Sequence, residues 1–234
     1  MRKFAKISAV LAAMVLALAF AGCNSSSDDD GSSSTKNILA GKTYYSIDFE
    51  KVDYTSESNN EAKIRVGMLA FDSNGQKVKF TGLKYNFKNG AIDKNNDNVI
   101  ESDEFDYSVS GSTLTIKALG DGEDLIATIK SDGSIDGMKE LKGNLYAFAK
   151  AEADSKELLA VAYIITVDGT ACNLEQQYAE DEEPYVLKGT VSGSNLKFTD
   201  ERKDGQTVTV FGTVSDKEIK MNDSPDGPIT LKRM

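Results

Sequence analysis

From Thr43 onward, apolar side chains recur at every second position. Tyr45, Ile47 and Phe49 alternate with Ser46, Asp48 and Glu50; Ile64, Val66 and Met68 with Lys63, Arg65 and Gly67; Leu83, Tyr85 and Phe87 with Lys84, Asn86 and Lys88. Phe105-Tyr107-Val109, Leu114-Ile116, Val208-Val210 and Ile219-Met221 continue the rhythm. Side chains on a strand point to opposite faces in turn, so this pattern predicts antiparallel strands with one face on a core. Turn chemistry falls between the runs at Ser73-Asn74-Gly75, Asn89-Gly90, Ser110-Gly111-Ser112, Asp132-Gly133, Asp168-Gly169, Ser192-Gly193-Ser194 and Asp204-Gly205. Only Leu158–Val167 is apolar on both faces. It reads either as a strand buried on both sides or as part of a short helix beginning near Ala151, with Ala149–Leu159 the ambiguous stretch.

Two landmarks occur twice. Leu39-Ala-Gly41-Lys-Thr-Tyr44 resembles Leu141-Lys-Gly143-Asn-Leu-Tyr146, and Val109-Ser-Gly111-Ser-Thr-Leu114-Thr-Ile116 resembles Val191-Ser-Gly193-Ser-Asn-Leu196-Lys-Phe198. The offsets are 102 and 82, so the first half holds 20 more residues between its landmarks than the second. Pseudo-duplication and convergent turn chemistry both fit. The Gly41 to Tyr44 opening and the Phe105–Ile116 hairpin resemble the lipocalin-like domains of bacterial lipoproteins, with Tyr44 near the place of the usual Trp. That resemblance implies an up-and-down barrel. The expected fold is all-β, an antiparallel meander or lipocalin-like barrel spanning residues 37–234.

The N-terminus has a different pattern. Arg2, Lys3 and Lys6 precede an unbroken apolar run from Ala9 to Phe20, then Ala21-Gly22-Cys23. A basic start, a short apolar run and small terminal residues make a secretory signal, too short to span a bilayer. Phe20-Ala21-Gly22-Cys23 resembles the lipobox of bacterial lipoproteins, with Phe20 where Leu is usual. The resemblance implies that residues 1–22 are removed and that Cys23 is diacylated and becomes the mature N-terminus. Two acyl chains hold a protein at a membrane stably, whereas one does so marginally. Residues 23–36, rich in Ser, Asp and Gly, then read as a tether reaching about 20 Å. Asn24 resembles outer-membrane sorting, so the expected location is the cell envelope, and the outer membrane in a Gram-negative host.

Charge and composition narrow the function. Loss of Arg2, Lys3 and Lys6 lowers the net charge from −10 to −13, which disfavours nucleic acid and adsorption to anionic lipid. The absence of His excludes Ser-His-Asp and Cys-His catalysis and His-ligated zinc. With Cys23 committed to lipid, Cys172 has no partner in the chain, and its apolar setting predicts a buried thiol. The acidic run Glu180-Asp181-Glu182-Glu183 reads as a solvated loop. Tyr44, Tyr45, Tyr54 and Tyr178 read as exposed rings able to stack on sugars, or as strand-core residues.

One segment has ligand spacing. Asp93-Lys-Asn95-Asn-Asp97-Asn98-Val99-Ile100-Glu101-Ser-Asp103-Glu104 resembles the EF-hand calcium loop. Asp93, Asn95 and Asp97 would offer side-chain oxygens, Val99 its carbonyl, Glu101 a direct or water-mediated contact, and Glu104 a bidentate carboxylate. Asn98 stands where Gly makes the sharp turn, and Asn is the next residue best able to adopt the left-handed conformation. Strand-like flanks argue against paired EF-hand helices and leave an isolated calcium loop in a hairpin. The competing reading is an Asp/Asn-rich connection that bonds its own backbone.

The expected protein is therefore a monomeric, non-enzymatic envelope lipoprotein that binds a small apolar ligand or a protein partner, with a calcium-stabilised loop. The alternative is a structural or adhesive surface lipoprotein. Replacing Cys23 by Ala is expected to abolish incorporation of labelled fatty acid and leave the precursor unprocessed. Lipid label persisting on that variant would refute the anchor.

Overall fold

The computed structural model describes residues 38–54, 60–88, 91–92, 100–119, 123–153, 158–179, 181, 183–201, 207–222 and 227–234. The secretory segment, Cys23 and the tether lie outside them, as do Asp93, Asn95, Asp97 and Val99. Every regular element among the described residues is a strand, and every pairing is antiparallel. The all-β expectation holds.

Two sheets carry the fold. The first is open and contains β1 (Thr43–Tyr54), β2 (Asn60–Phe71), β3 (Lys77–Lys88), β4 (Ala91–Ile92), β5 (Ile100–Ser110), β6 (Thr113–Ile116), β7 (Leu125–Thr128) and β8 (Lys139–Leu141). Its order is β7-β6-β5-β3-β2-β1-β8, with β4 also on β3. The second is a closed barrel of β9 (Asn144–Ala153), β10 (Leu158–Asp168), β11 (Ala171–Tyr178), β12 (Tyr185–Ser192), β13 (Asn195–Glu201), β14 (Thr207–Val214), β15 (Glu218–Met221) and β16 (Ile229–Arg233). The sequence landmarks mark equivalent places. Gly41 and Gly143, with φ of 76° and 79°, precede the first strand of each half. Gly111 and Gly193, with φ of 59° and 58°, turn the β5–β6 and β12–β13 hairpins. In both halves the last strand returns to pair with the first, β8 on β1 and β16 on β9. The second half adds β15 between β14 and β16, and that strand closes the ring.

Leu158–Val167 is β10, a strand buried on both faces. Val161, Tyr163, Ile165 and Val167 point into the barrel core with Leu196, Phe198, Val210, Ile219, Met221 and Leu231. Ala160, Ala162 and Ile164 point outward with Leu145, Ala147, Ala149 and Ala151 of β9, onto Tyr45, Ile64, Val66, Leu83, Tyr85 and Phe87 of the open sheet. Small side chains on this outer face let the two layers approach closely, while large ones fill the interior. The short-helix reading near Ala151 is corrected to this extent: Ala149–Ala153 belongs to β9 and Leu158–Leu159 to β10, with residues 154–157 outside the described set. Gly143 enters β9 where a side chain cannot fit, since a Cβ there would lie 2.0 Å from the Val167 carbonyl oxygen.

A third core lies under the far part of the open sheet. Tyr44, Leu69, Phe71 and Val78 leave the alternation of their strands and pack with Tyr107, Leu114, Ile116, Leu125, Ile129 and Ile135. The sheet curls, so β1–β3 bury opposite faces at their two ends.

Replacing Ala162, fully buried between the layers, by Leu is expected to destabilise the fold by about 1–3 kcal/mol through overpacking. Denaturant melting checks this, and an unchanged midpoint would contradict the close contact of sheet and barrel.

Candidate functional site

The described part of the barrel interior is packed with side chains around Leu196, Phe198 and Tyr163. Phe198 and Leu196 are fully buried in it and Tyr163 nearly so. At Gly189 even a Cβ would lie 2.5 Å from Phe198 Cδ1 and 2.9 Å from Cys172 Sγ. Cys172 is a free thiol buried in this packing, as the sequence led us to expect, and burial pushes it up to about 11.

Among the described residues an opening lies at the seam between the halves. A cleft of ≈ 240 Å³ is lined by Tyr45, Ser46, Ile47 and Phe49 of β1, Gly137 and Lys139 at the start of β8, and Gln177, Tyr178, Ala179 and Asp181 at the end of β11. Beside it lies Glu175 of β11, a carboxylate only 8% exposed. The Tyr45 hydroxyl donates to Glu175 Oε1 at 2.8 Å, and Lys139 Nζ donates to Oε2 at 2.8 Å. Two groups from the open sheet therefore satisfy a buried charge on the barrel. A carboxylate taken from water needs such partners, and losing one leaves an uncompensated charge. Lys139 keeps half its side chain in solvent, so the pair is not sealed.

Nearby groups hold the far wall. Gln177 Nε2 donates to the carbonyls of Tyr178 (3.2 Å) and Asp181 (2.7 Å), fixing the chain as it leaves β11. Gln176 Nε2 donates to the Tyr178 hydroxyl at 2.6 Å. The described part of the second acidic run, Asp181 and Glu183, is exposed, with Asp181 at the cleft rim.

The tyrosines read as exposed need correction. Tyr44 and Tyr45 are buried, at 0% and 3% exposure. Tyr44 donates to the Gly133 carbonyl at 2.7 Å. Their adjacency is the physical reason, since one faces each core and the curled sheet buries both. Tyr178 is half-buried at the cleft, and the Tyr54 side chain lies outside the described residues. Sequence reasoning missed Glu175 and Lys139 altogether. The available signal was one acidic residue in the strand that follows the apolar run Leu158–Val167 across a tight turn, which sets Glu175 opposite Ile164.

The acidic segment is split by the structure. Glu101 and Glu104 lie in β5, three residues apart, so they project from opposite faces of the sheet. Glu101 stands opposite Gly82 and shares the β3 face of Lys84 and Asn86, whereas Glu104 stands opposite Lys79. Asn86 is 7% exposed, and its Oδ1 accepts no hydrogen bond. The hairpin expectation also changes. β4 pairs with Phe87 and Lys88 and β5 with residues 77–83, both along one edge of β3. From Ile92 to Ile100 the chain takes eight steps while β3 takes four. β4 and the start of β5 thus lie in line along one edge of β3, and residues 93–99 between them are outside the described set. Among the described residues no group of three or more Cys, Asp or Glu is gathered for a metal ion.

Comparison of the chain with protein-family models, curated proteins and solved structures finds no match.

Burial holds the Tyr45 phenol far above its ordinary value of 10, with the Glu175 charge and hydrogen bond adding to it. Tyr85 rises through burial, and Tyr44 goes up to about 12 through burial, then Glu140 and Asp132. Raised folded values mean stability is intact below about pH 10 and is lost as pH climbs above it, where the unfolded chain ionises first. Tyr45→Phe is expected to cost about 1–3 kcal/mol at pH 7 by removing a hydrogen bond to a buried carboxylate. It should also flatten the alkaline loss of Tm. Melting curves between pH 7 and alkaline values read both effects, and an unaltered alkaline slope would contradict the assignment.

Proposed function

We propose that this chain is a membrane-anchored, non-enzymatic lipoprotein of the cell envelope that binds a small ligand or protein partner at the seam between its halves. Calcium stabilises its acidic segment. The single observation that supports this reading best is the pairing of a side-chain-filled barrel with a half-open cleft beside Glu175 and Lys139. We place the ligand at the seam rather than in the barrel interior because the seam is where an opening meets a buried ion pair. Lipid on Cys23 and the tether at 24–36 would place the folded part near a membrane, and the mature charge of −13 keeps it off anionic headgroups.

The second reading, a structural or adhesive surface lipoprotein, draws on the same filled barrel. Tyr185, Val186 and Phe211, on the barrel strands β12 and β14, expose 45–50% of their surfaces. Tyr185 and Val186 are successive residues of β12 and so point to opposite faces, and Phe211 lies on β14 with β13 between. They form no continuous patch, which favours the seam as the binding surface.

For calcium we propose a ligand set narrower than the full EF-hand spacing. Glu101 and Glu104 cannot both reach one ion from opposite faces of β5, and Glu101 shares its face with the buried Asn86 Oδ1. Asp93, Asn95, Asp97 and the Val99 carbonyl, with Glu101, therefore make the proposed site, and Glu104 stays opposite Lys79. Six to eight oxygens at weak extracellular affinity suit such a loop. The competing arrangement neutralises these acids with Lys84 and Lys88 of β3. At ten times Kd, calcium should add about 1.4 kcal/mol, equivalent to a Tm rise of about 3–6 °C for a domain of this size. Melting is measured in EDTA, in calcium and in magnesium, with calcium raising Tm most. Glu101→Gln should abolish the rise and Glu104→Gln should largely keep it. Equal melting points in EDTA and calcium, with no heat of binding, would refute the site.

A further inference from the structure

The cleft has a wall made of unpaired backbone. The Phe71 amide donates to the Lys42 carbonyl at 2.9 Å, so Lys42 and Phe71 form a hydrogen-bonded pair. In an antiparallel ladder such pairs alternate with non-bonded ones. Even-numbered residues of β1 therefore turn N–H and C=O toward β2, and odd-numbered residues turn theirs the other way. Thr43 and Tyr45 use that second side to meet Leu141 and Lys139 of β8. β8 begins at Lys139, so the pairing stops there, while β1 runs on to Tyr54. Ile47 and Phe49 thus direct two donors and two acceptors into the cleft they line, and no strand among the described residues pairs with them on that side.

The side chains around this edge have a matching order. Tyr45, Ile47 and Phe49 share the face that looks toward the barrel, where Tyr178 and Ala179 form the opposite wall. Ser46 and Asp48 share the other face, with Asp48 opposite Arg65 of β2. The Lys139 charge is matched by Glu175, which leaves Asp181 as the excess charge lining the cleft. A volume of ≈ 240 Å³ falls below the roughly 300–1,000 Å³ of sites that engulf a drug-sized molecule. A segment laid along the edge needs no such cavity, because main-chain hydrogen bonds supply affinity and alternate side chains supply selection.

We propose that the free edge of β1 at Ile47 and Phe49 captures an extended peptide as an added antiparallel strand, in line with β8. The peptide presents an apolar residue opposite Phe49, a cationic one opposite Asp48 and an apolar one opposite Ile47. The two apolar side chains enter the cleft against Tyr178 and Ala179. The cationic one lies on the Asp48 face, drawn by a protein of strongly negative net charge. The proposal rests on the reading of the seam as the binding surface and specifies its ligand as a polypeptide.

The test uses the full chain in detergent and the probe acetyl-Thr-Val-Lys-Val-Thr-amide, followed by backbone amide exchange and NMR shifts. Without peptide, the Ile47 and Phe49 amides should exchange at least about tenfold faster than those of Ser46 and Asp48, which bond to β2. With the probe at about 1 mM, a concentration suited to weak binding, Ile47 and Phe49 should slow selectively. N-methylation of both valines removes the donors that face β1 and should weaken binding about tenfold or more. Replacing the central Lys by Glu should weaken it several-fold. Ile47 and Phe49 already as protected as their neighbours would overturn the free edge. Equal binding of the N-methylated probe, or shifts at Gln177 and Tyr178 without slowing at Ile47, would overturn strand addition and keep the seam as a binding surface. No response anywhere in the cleft would overturn strand addition and the seam reading with it.

Discussion

The structure depends on one strand pair that is buried on both sides. β9 and β10 form part of the barrel wall and also the floor on which the open sheet rests. A strand in that position cannot alternate apolar with polar, since both faces leave water. It alternates size instead. Val161, Tyr163 and Ile165 fill the barrel, while Ala160, Ala162 and the alanines of β9 make a low outer surface against which Ile64, Val66 and Leu83 pack. Each fully buried large aliphatic side chain contributes about 1.5–3 kcal/mol, so this shared wall couples the stability of the two halves.

Polar groups supplement that apolar contact. Tyr45, Lys139 and Glu175 join residues 36 and 130 positions apart in sequence, and Tyr85 donates across the same boundary to the Ala147 carbonyl at 3.3 Å. The apolar contact favours proximity of sheet and barrel but is tolerant of sliding. A buried carboxylate that must be met by one phenol and one ammonium is not, because a shift leaves charge unsatisfied. Glu175 therefore pins the register of the halves beside the cleft.

The fold was legible wherever one face of a strand meets one core. Tyr45-Ile47-Phe49, Ile64-Val66-Met68 and Leu83-Tyr85-Phe87 all sit in or against the seam core as the alternation implied. Leu114-Ile116 and Ile219-Met221 are likewise buried in their own cores. What alternation could not reveal is a strand that changes which face it buries. Tyr44, Leu69 and Val78 break the rhythm because the curled sheet brings β6, β7 and Ile135 over them, and a contact between distant segments leaves no local trace. The site was hidden for the same reason. Glu175 looks like any surface acid until β1 and β8 are seen to reach it. The acidic segment was legible in composition but not in geometry, since spacing alone does not distinguish a loop that curls its carboxylates together from a strand that sends Glu101 and Glu104 apart.

The two halves repeat one strand order and differ in closure. In the barrel, β15 bridges β14 and β16, so the last strand completes a ring. In the open sheet no strand among the described residues stands as a counterpart of β15 joining β7 to β8; a bridge between Ile129 and Ile135 stands nearby instead. Ring closure removes exposed edges, which are liabilities because unpaired backbone groups template further pairing. The open half manages its edges differently. β7 and β8 have four and three residues, short enough to offer little ladder to a neighbour. β1 is the exception, twelve residues long with only Thr43–Tyr45 covered by β8. That edge lies in the cleft, with Tyr178 and Ala179 on the opposite wall. The unpaired stretch of β1 exists because the first half stops one strand short of the second, so the same strand order that closes a ring in the barrel leaves an edge in the open sheet.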